Sequence, residues 1–545
     1  MKKYLIGLLL LSSVCFADEF QEFDYKSNNG GLNTKSSPLF LKDNESPDCQ
    51  NVYFDTDGAI IKRNGSVQIT PEHQIIPPDF SATPEHTITG VYYYYKKDAT
   101  DYLVFTEGPA VYKIDDIEGT PEHITGDHFI GPYALNTNGL YDFETYLDTV
   151  IATDGEDPPW KWTGTGSITP LGGPIDDNTG VRPNVPYGLT TAKYVCLFKD
   201  RLFLANVTVS STTYPSRVYF SAIGSISNWS ATDFININTN DGQIITGMEV
   251  LGDRLVIFKT NSIYNVFYTG STDVPFYVQK SDSDVGCISG YSIQNIKNNL
   301  IFLSADGIYA YDGVSSIKLS DRITPTLQNY NESRYQYAVS ANYRPKNQYW
   351  ITMTTSSGTT NSEVIIWDYY HNAFTKYKGL PISSLALVFT SNGDRLYSGG
   401  YEGNLDRQDY GTSDGGTSQT NGNAIDAYYW TKWFDWNSLA IKKRPMYLYL
   451  FTEASGNWNL TTSYVYDLKS GVYKSVANSL FGGGAIVGTA VVGTSVVGES
   501  GTLTHRIDLQ GQGGFARFKF SNPNVNQYFR IDGFSVLVKP QGVIR

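Results

Sequence analysis

Cysteine, histidine and methionine are scarce in this chain of 545 residues: four Cys, six His and four Met. The cysteines, Cys15, Cys49, Cys196 and Cys287, form no CxxC pair and have no histidine at ligand spacing, which argues against a zinc site and against a disulfide framework. No histidine stands in an HExxH motif, and His123 and His128, five apart in turn-rich sequence, read as loop residues and not as metal ligands. No catalytic, cofactor-binding or metal-binding residue is assigned. Basic charge is also short: 41 Lys and Arg against 54 Asp and Glu leave a net charge of −13, which argues against gripping nucleic acid through its phosphates. Long amphipathic helical patterns are missing as well.

What is abundant points to strands and tight turns. Aromatics make up 14% of the chain, including 41 Tyr, and there are 51 Gly. A polar corner followed by a β-rich run occurs at Tyr102, Thr149, Arg201, Arg254, Asn299, Gln348 and Arg395, at separations of 47, 52, 53, 45, 49 and 47. Each corner has an alternating strand before it, and most have another after it. A fixed period of this size without helical periodicity predicts a β-propeller of approximately seven four-stranded blades over residues 81–411.

Residues 18–80 hold turn residues around two short strands, and are expected to form an extended arm that wraps the propeller or completes a blade. Residues 412–423 have the Gly, Ser, Thr and Asn content of a flexible linker. From 424 to 545, segments such as PMYLYLFTE and FRIDGFSVLVKP predict a C-terminal β-sandwich. Within it, 480–499 carries the pentads AIVGT, AVVGT and SVVGE, read as an interface loop with Val487, Val492 and Val497 as its contact residues. Residues 1–17, with Lys2 and Lys3 before an apolar run ending near Ala17, follow the layout of a signal peptide; the run is too short for a stable membrane span. An apolar arm packing on a partner subunit remains the other reading.

A glycosidase-type propeller would need a pair of carboxylates as acid and base. Asp154, Glu156 and Asp157, and likewise Asp282 and Asp284, lie in turn-like sequence where Asp bonds to local backbone, so the turn reading is preferred. DTDG at Asp55 to Gly58 lacks the ligands of a calcium loop and reads as a strand-joining turn. The repeated Arg201, Arg254 and Arg395 read as hairpin stabilisers.

The ordered series GGLNTKSSPLFLKDNESPDCQNVYFDTDGAIIKRNG (Gly30 to Gly65), Arg217 to Tyr264, DVGCISGYSI, SADGIYAYDG and WTKWFDW resembles tail-hub or tail-nozzle proteins of short-tailed phages. The resemblance implies a non-enzymatic virion protein in a homo-oligomeric ring, contacting other tail and connector proteins, with DNA passing through without sequence-specific binding. It also implies location in the virion tail, with which the signal-like leader sits badly. The alternative is an exported, secreted or periplasmic propeller that binds glycans or proteins at the cell surface.

Overall fold

The computed structural model describes residues 20–70, 87–115, 119–126, 129, 135, 139–171, 189–391, 393–482 and 501–543. The leader 1–17 and the loop residues Val487, Val492 and Val497 lie outside these described residues. Among the described residues, seven antiparallel four-stranded sheets follow one another along the chain and form the blades of a β-propeller. Their innermost strands are Ile88–Tyr95, Asp142–Tyr146, Leu189–Phe198, Ile245–Leu251, Gln294–Ile296, Ser340–Tyr343 and Ser384–Thr390.

The sequence repeat is the corner between the first and second strands of each blade. In three blades both corner residues have positive φ: Leu147 and Asp148 (48° and 59°), Lys199 and Asp200 (49° and 54°), and Lys297 and Asn298 (51° and 61°). That is the type I′ turn, whose twist matches the flanking strands. Two consecutive blade junctions share a further device. The Tyr94 hydroxyl donates to the Asp148 carbonyl (2.6 Å), and 52 residues on Tyr146 donates to Asp200 (2.9 Å), so each inner strand is tied to the next blade's corner.

The ring is closed by a strand from the N-terminal side. Ser66–Thr70 pairs antiparallel with Leu405–Gln408 and becomes the outer strand of the last blade. Blade 7 then meets blade 1 through the Ser383 hydroxyl, which donates to the Ile88 carbonyl (2.6 Å).

The C-terminal module is a sandwich of two sheets. One runs Thr502–Asp508, Ile441–Glu453, Arg530–Val543, Ile60–Lys62, Val52–Phe54, with Gln21–Tyr25 also on Arg530–Val543. The other runs Lys474–Ser479, Asn459–Tyr466, Ala516–Asn522, Ala427–Trp430, Cys49–Gln50. Ala516–Asn522 alternates buried and half-buried along its whole length, the period of a strand with one face on a core. Phe534 is the hub of that core, with ring centroids at 4.7 Å from Tyr25 and 5.4 Å from Phe520.

One expectation is extended and another corrected. Ser66–Thr70 of the arm at 18–80 completes a blade, and the Thr34 and Lys35 N–H groups donate to the Arg322 carbonyl and the Asn51 N–H to the Lys376 carbonyl of the propeller, but Gln21–Tyr25, Cys49–Gln50, Val52–Phe54 and Ile60–Lys62 are also sandwich strands. Their backbone groups and apolar side chains are satisfied by the edges of the C-terminal sheets, which would otherwise stand open. Residues 412–423 are not a loose linker. Ser413 and Asp414 are buried, Asp414 accepts both terminal nitrogens of the buried Arg63 guanidinium (2.7 and 2.5 Å), and Ser66 N–H donates to the Ser413 carbonyl (3.0 Å). Small residues are needed there because the chain runs against Gly65, where a Cβ would lie 1.9 Å from the Ser413 carbonyl oxygen.

One apolar cluster joins the two lobes. It passes from Ile301, Leu303, Tyr349 and Phe374 of blades 5 and 6 through Leu32, Cys49 and Val52 to Phe434, Phe520 and Phe534 of the sandwich. The three described cysteines are buried and unbridged.

Candidate functional site: the propeller channel

Innermost strands have one edge without a neighbouring strand, so their N–H and C=O groups face the channel and need partners. Blade 2 supplies them to blade 3. On Asp142–Tyr146, Asp142 and Glu144 are two apart and therefore project to the same face. Asp142 Oδ2 accepts from Val195 N–H (2.9 Å) and Glu144 Oε2 from Leu197 N–H (3.0 Å), both on the inner strand of blade 3. Glu249, on the inner strand of blade 4, accepts from the Val250 N–H (3.0 Å).

Burial pushes the Asp142 carboxyl up to about 8, and the neighbouring charges of Glu144 and Glu249 add to the shift, while the Val195 N–H opposes it. Glu249 is raised to about 7, again by burial first and by Glu144 second, and Glu144 is raised by burial. Carboxyl groups so placed hold their protons to higher pH than exposed ones do.

The channel encloses a cavity of about 250 Å³ bordered by Tyr92, Asp142, Tyr194, Glu249 and Tyr291 among others. At the end where the inner strands begin, Tyr291 reaches from the approach to blade 5 across to blade 2 and donates to the Leu140 carbonyl (2.6 Å). The Tyr194 ring lies 6.0 Å from it. This crossing depends on Gly290, where a Cβ would sit 2.4 Å from the Thr246 carbonyl oxygen and 2.6 Å from Tyr194.

The carboxylates singled out in the sequence lie elsewhere. Asp154 caps its own turn, with Oδ1 accepting from Glu156 N–H (3.0 Å) and Asp157 N–H (2.7 Å), as the turn reading requires. Burial and then the charge of Asp157 raise it to about 7. Asp282 and Asp284 are exposed. Asp55 to Gly58 is the turn between Val52–Phe54 and Ile60–Lys62, and Asp55 and Asp57 pair with Arg530. Arg201 donates to the Ser221 carbonyl (2.6 Å) and Arg254 to the Gly313 carbonyl (3.1 Å), so both bind backbone. His123 packs on Tyr112 at 5.4 Å, and His128 lies outside the described residues. Among the described residues, no group of three or more His, Cys, Asp or Glu is placed to hold a metal ion. No helix among them is long and apolar enough to cross a membrane.

Asp142, Glu144, Glu249 and Tyr291 were missed in the sequence. The available signal was YDFETY, with acids at alternate positions of an aromatic strand.

No family model matches the chain, and no curated protein matches it. Among solved structures, the chain is similar to YCF48 from Cyanidioschyzon merolae at 12% identity and a TM-score of 0.38, over 63% of this chain and 98% of that one. It is similar to a streptogramin B lyase at 12% identity and a TM-score of 0.37, over 60% and 95%. A computationally designed protein, Ika8, matches at 11% identity and a TM-score of 0.34, over 60% and 97%. One of these neighbours is an enzyme, and at such identities the likeness extends no further than the propeller fold.

Proposed function

We propose that this chain is a non-enzymatic structural subunit of a short-tailed phage tail, at the hub or nozzle position, working as a homo-oligomeric ring around the path of DNA. The observation that supports this reading is the single core shared by propeller and sandwich, reinforced by the buried Arg63 and Asp414 pair. A body of this kind resists bending between its lobes, as a load-bearing ring subunit must, and a ring repeats each subunit contact by symmetry. The propeller's own channel is not the conduit. Its cavity of about 250 Å³ has room for about eight waters, at about 30 Å³ each. DNA would pass along the axis between copies, where an acidic chain of net charge −13 holds the duplex loosely. The channel carboxylates serve as acceptors for strand-edge N–H groups in this reading.

Electron microscopy of the purified chain and of virions carrying it tests the proposal. Closed rings with a central opening in both are expected. A monodisperse monomer that is missing from virions would overturn it.

A further inference from the structure

The second sheet of the sandwich has two different edges. Cys49–Gln50 lies against blade 6, whereas the hairpin of Asn459–Tyr466 and Lys474–Ser479 forms the opposite edge, away from the propeller. Beside that hairpin's turn is a cleft of about 680 Å³, within the range of about 300–1,000 Å³ typical of small-ligand sites.

Two tyrosines, Tyr466 and Tyr473, line the cleft, and Tyr464 lies behind them. Tyr464, Tyr466 and Tyr473 form a triangle with ring centroids 5.5 to 5.9 Å apart. Tyr466 is only 5% exposed and its hydroxyl has no hydrogen-bond partner among the described residues, while Tyr473 is 58% exposed and borders the opening. The turn holds Asp467 and Leu468 at φ of 54° and 58°, which swings the chain away from the rings. Opposite, Gly511 has φ of 97°, and a Cβ there would come within 2.8 Å of the Tyr466 ring, so a side chain would crowd the space.

The polar groups set the charge of the ligand. Lys442 and Lys469 border the cleft and make no ion pair among the described residues. The one acid, Asp467, accepts the Gly514 N–H through Oδ1 (2.7 Å). Gln512 adds an exposed amide. The two ammonium groups place positive charge beside a tyrosine surface on a chain of net charge −13, which suits the cleft to an anion.

We infer that this cleft binds an acidic saccharide of the uronate class. The C–H face of a pyranose ring packs on the exposed Tyr473 ring, where an amphipathic aromatic suits a ligand that is apolar on one face and polar at its rim. Lys442 and Lys469 meet the carboxylates of successive sugar units, and Gln512 meets ring hydroxyls. This inference is independent of the ring role, since the cleft lies within one subunit.

Titration calorimetry on the full chain, with tetragalacturonate as acidic probe and maltotetraose as neutral control, tests it. Saturable binding of tetragalacturonate is expected, at least tenfold tighter than maltotetraose. The double variant Lys442→Glu and Lys469→Glu is expected to lose binding, and Tyr473→Ala to weaken it at least tenfold at unchanged melting temperature. Equal binding of both sugars, no binding of tetragalacturonate, or full binding by Tyr473→Ala overturns the inference, the last because it leaves only nonspecific charge attraction. Ring formation by the same variants, viewed by electron microscopy, separates this result from the fate of the phage proposal.

Discussion

The propeller and the sandwich are both antiparallel β-structures, yet they are assembled from the chain in opposite ways. Each of the first six blades is a run of consecutive strands, whereas the sandwich interleaves strands from 21–62 with strands from 427–543. Local pairing makes a blade cheap in loop-closure entropy, while the sandwich must bring together segments more than 350 residues apart. The chain can do this because the blades in between form a ring that returns its end to its beginning. Ser66–Thr70 closes that ring and so fixes the preceding residues beside the C-terminal sheets.

The sharpest way to break this arrangement is at the joint. Arg63→Ala leaves the Asp414 carboxylate buried without its partner, and is expected to cost about 3–5 kcal/mol in urea unfolding. Loss of stability well below this would mean that the lobes are held by the apolar cluster alone. Next, Phe534→Ala removes the ring at the centre of the sandwich core, and a cost of about 3 kcal/mol or more is expected from the same measurement.

The propeller's regularity predicts equality where the sandwich has none. Tyr94→Phe and Tyr146→Phe each remove one hydrogen bond at equivalent blade junctions, and each should cost about 1 kcal/mol. Clearly unequal costs would show that the two junctions are not energetically equivalent. The channel supplies an effect that changes with pH. Asp142 and Glu249 have folded values near 8 and 7, above the usual carboxylate range, so the folded state holds more protons than the unfolded one at intermediate pH. Their contribution to stability is complete below about pH 4 and is lost as pH rises towards 8. Urea midpoints of Asp142→Asn measured from pH 5 to 8 should therefore fall less steeply with pH than those of the unaltered chain.

The corners at Thr149, Arg201 and Asn299 were legible because a type I′ turn followed by a buried strand has a local residue pattern. The sandwich strands at Ala516–Asn522 and Arg530–Val543 were legible for the same reason. The position of Cys49–Gln50 beside Tyr428 and Tyr429 was not, because a two-residue strand carries no period and takes its place from its neighbours. The Gly, Ser and Asn content of 412–423 suggested freedom, but small polar residues also suit a chain pressed against another backbone, and Ser413 is fully buried. The channel acids were hidden because Asp142 and Glu144 match ordinary surface positions of an alternating strand. Only closure of the ring turns that face inward.

By itself, then, the sequence determined the repeated unit: alternation, turn chemistry and a period near 50 residues specify a blade, since these depend on contacts within a few residues. Tertiary structure alone decided where the ring closes, which distant strands complete the sandwich, and which charged groups are taken out of water. Those outcomes depend on pairs such as Arg63 with Asp414 and Glu144 with Leu197, whose meeting is set by the closed ring and not by their spacing in the chain.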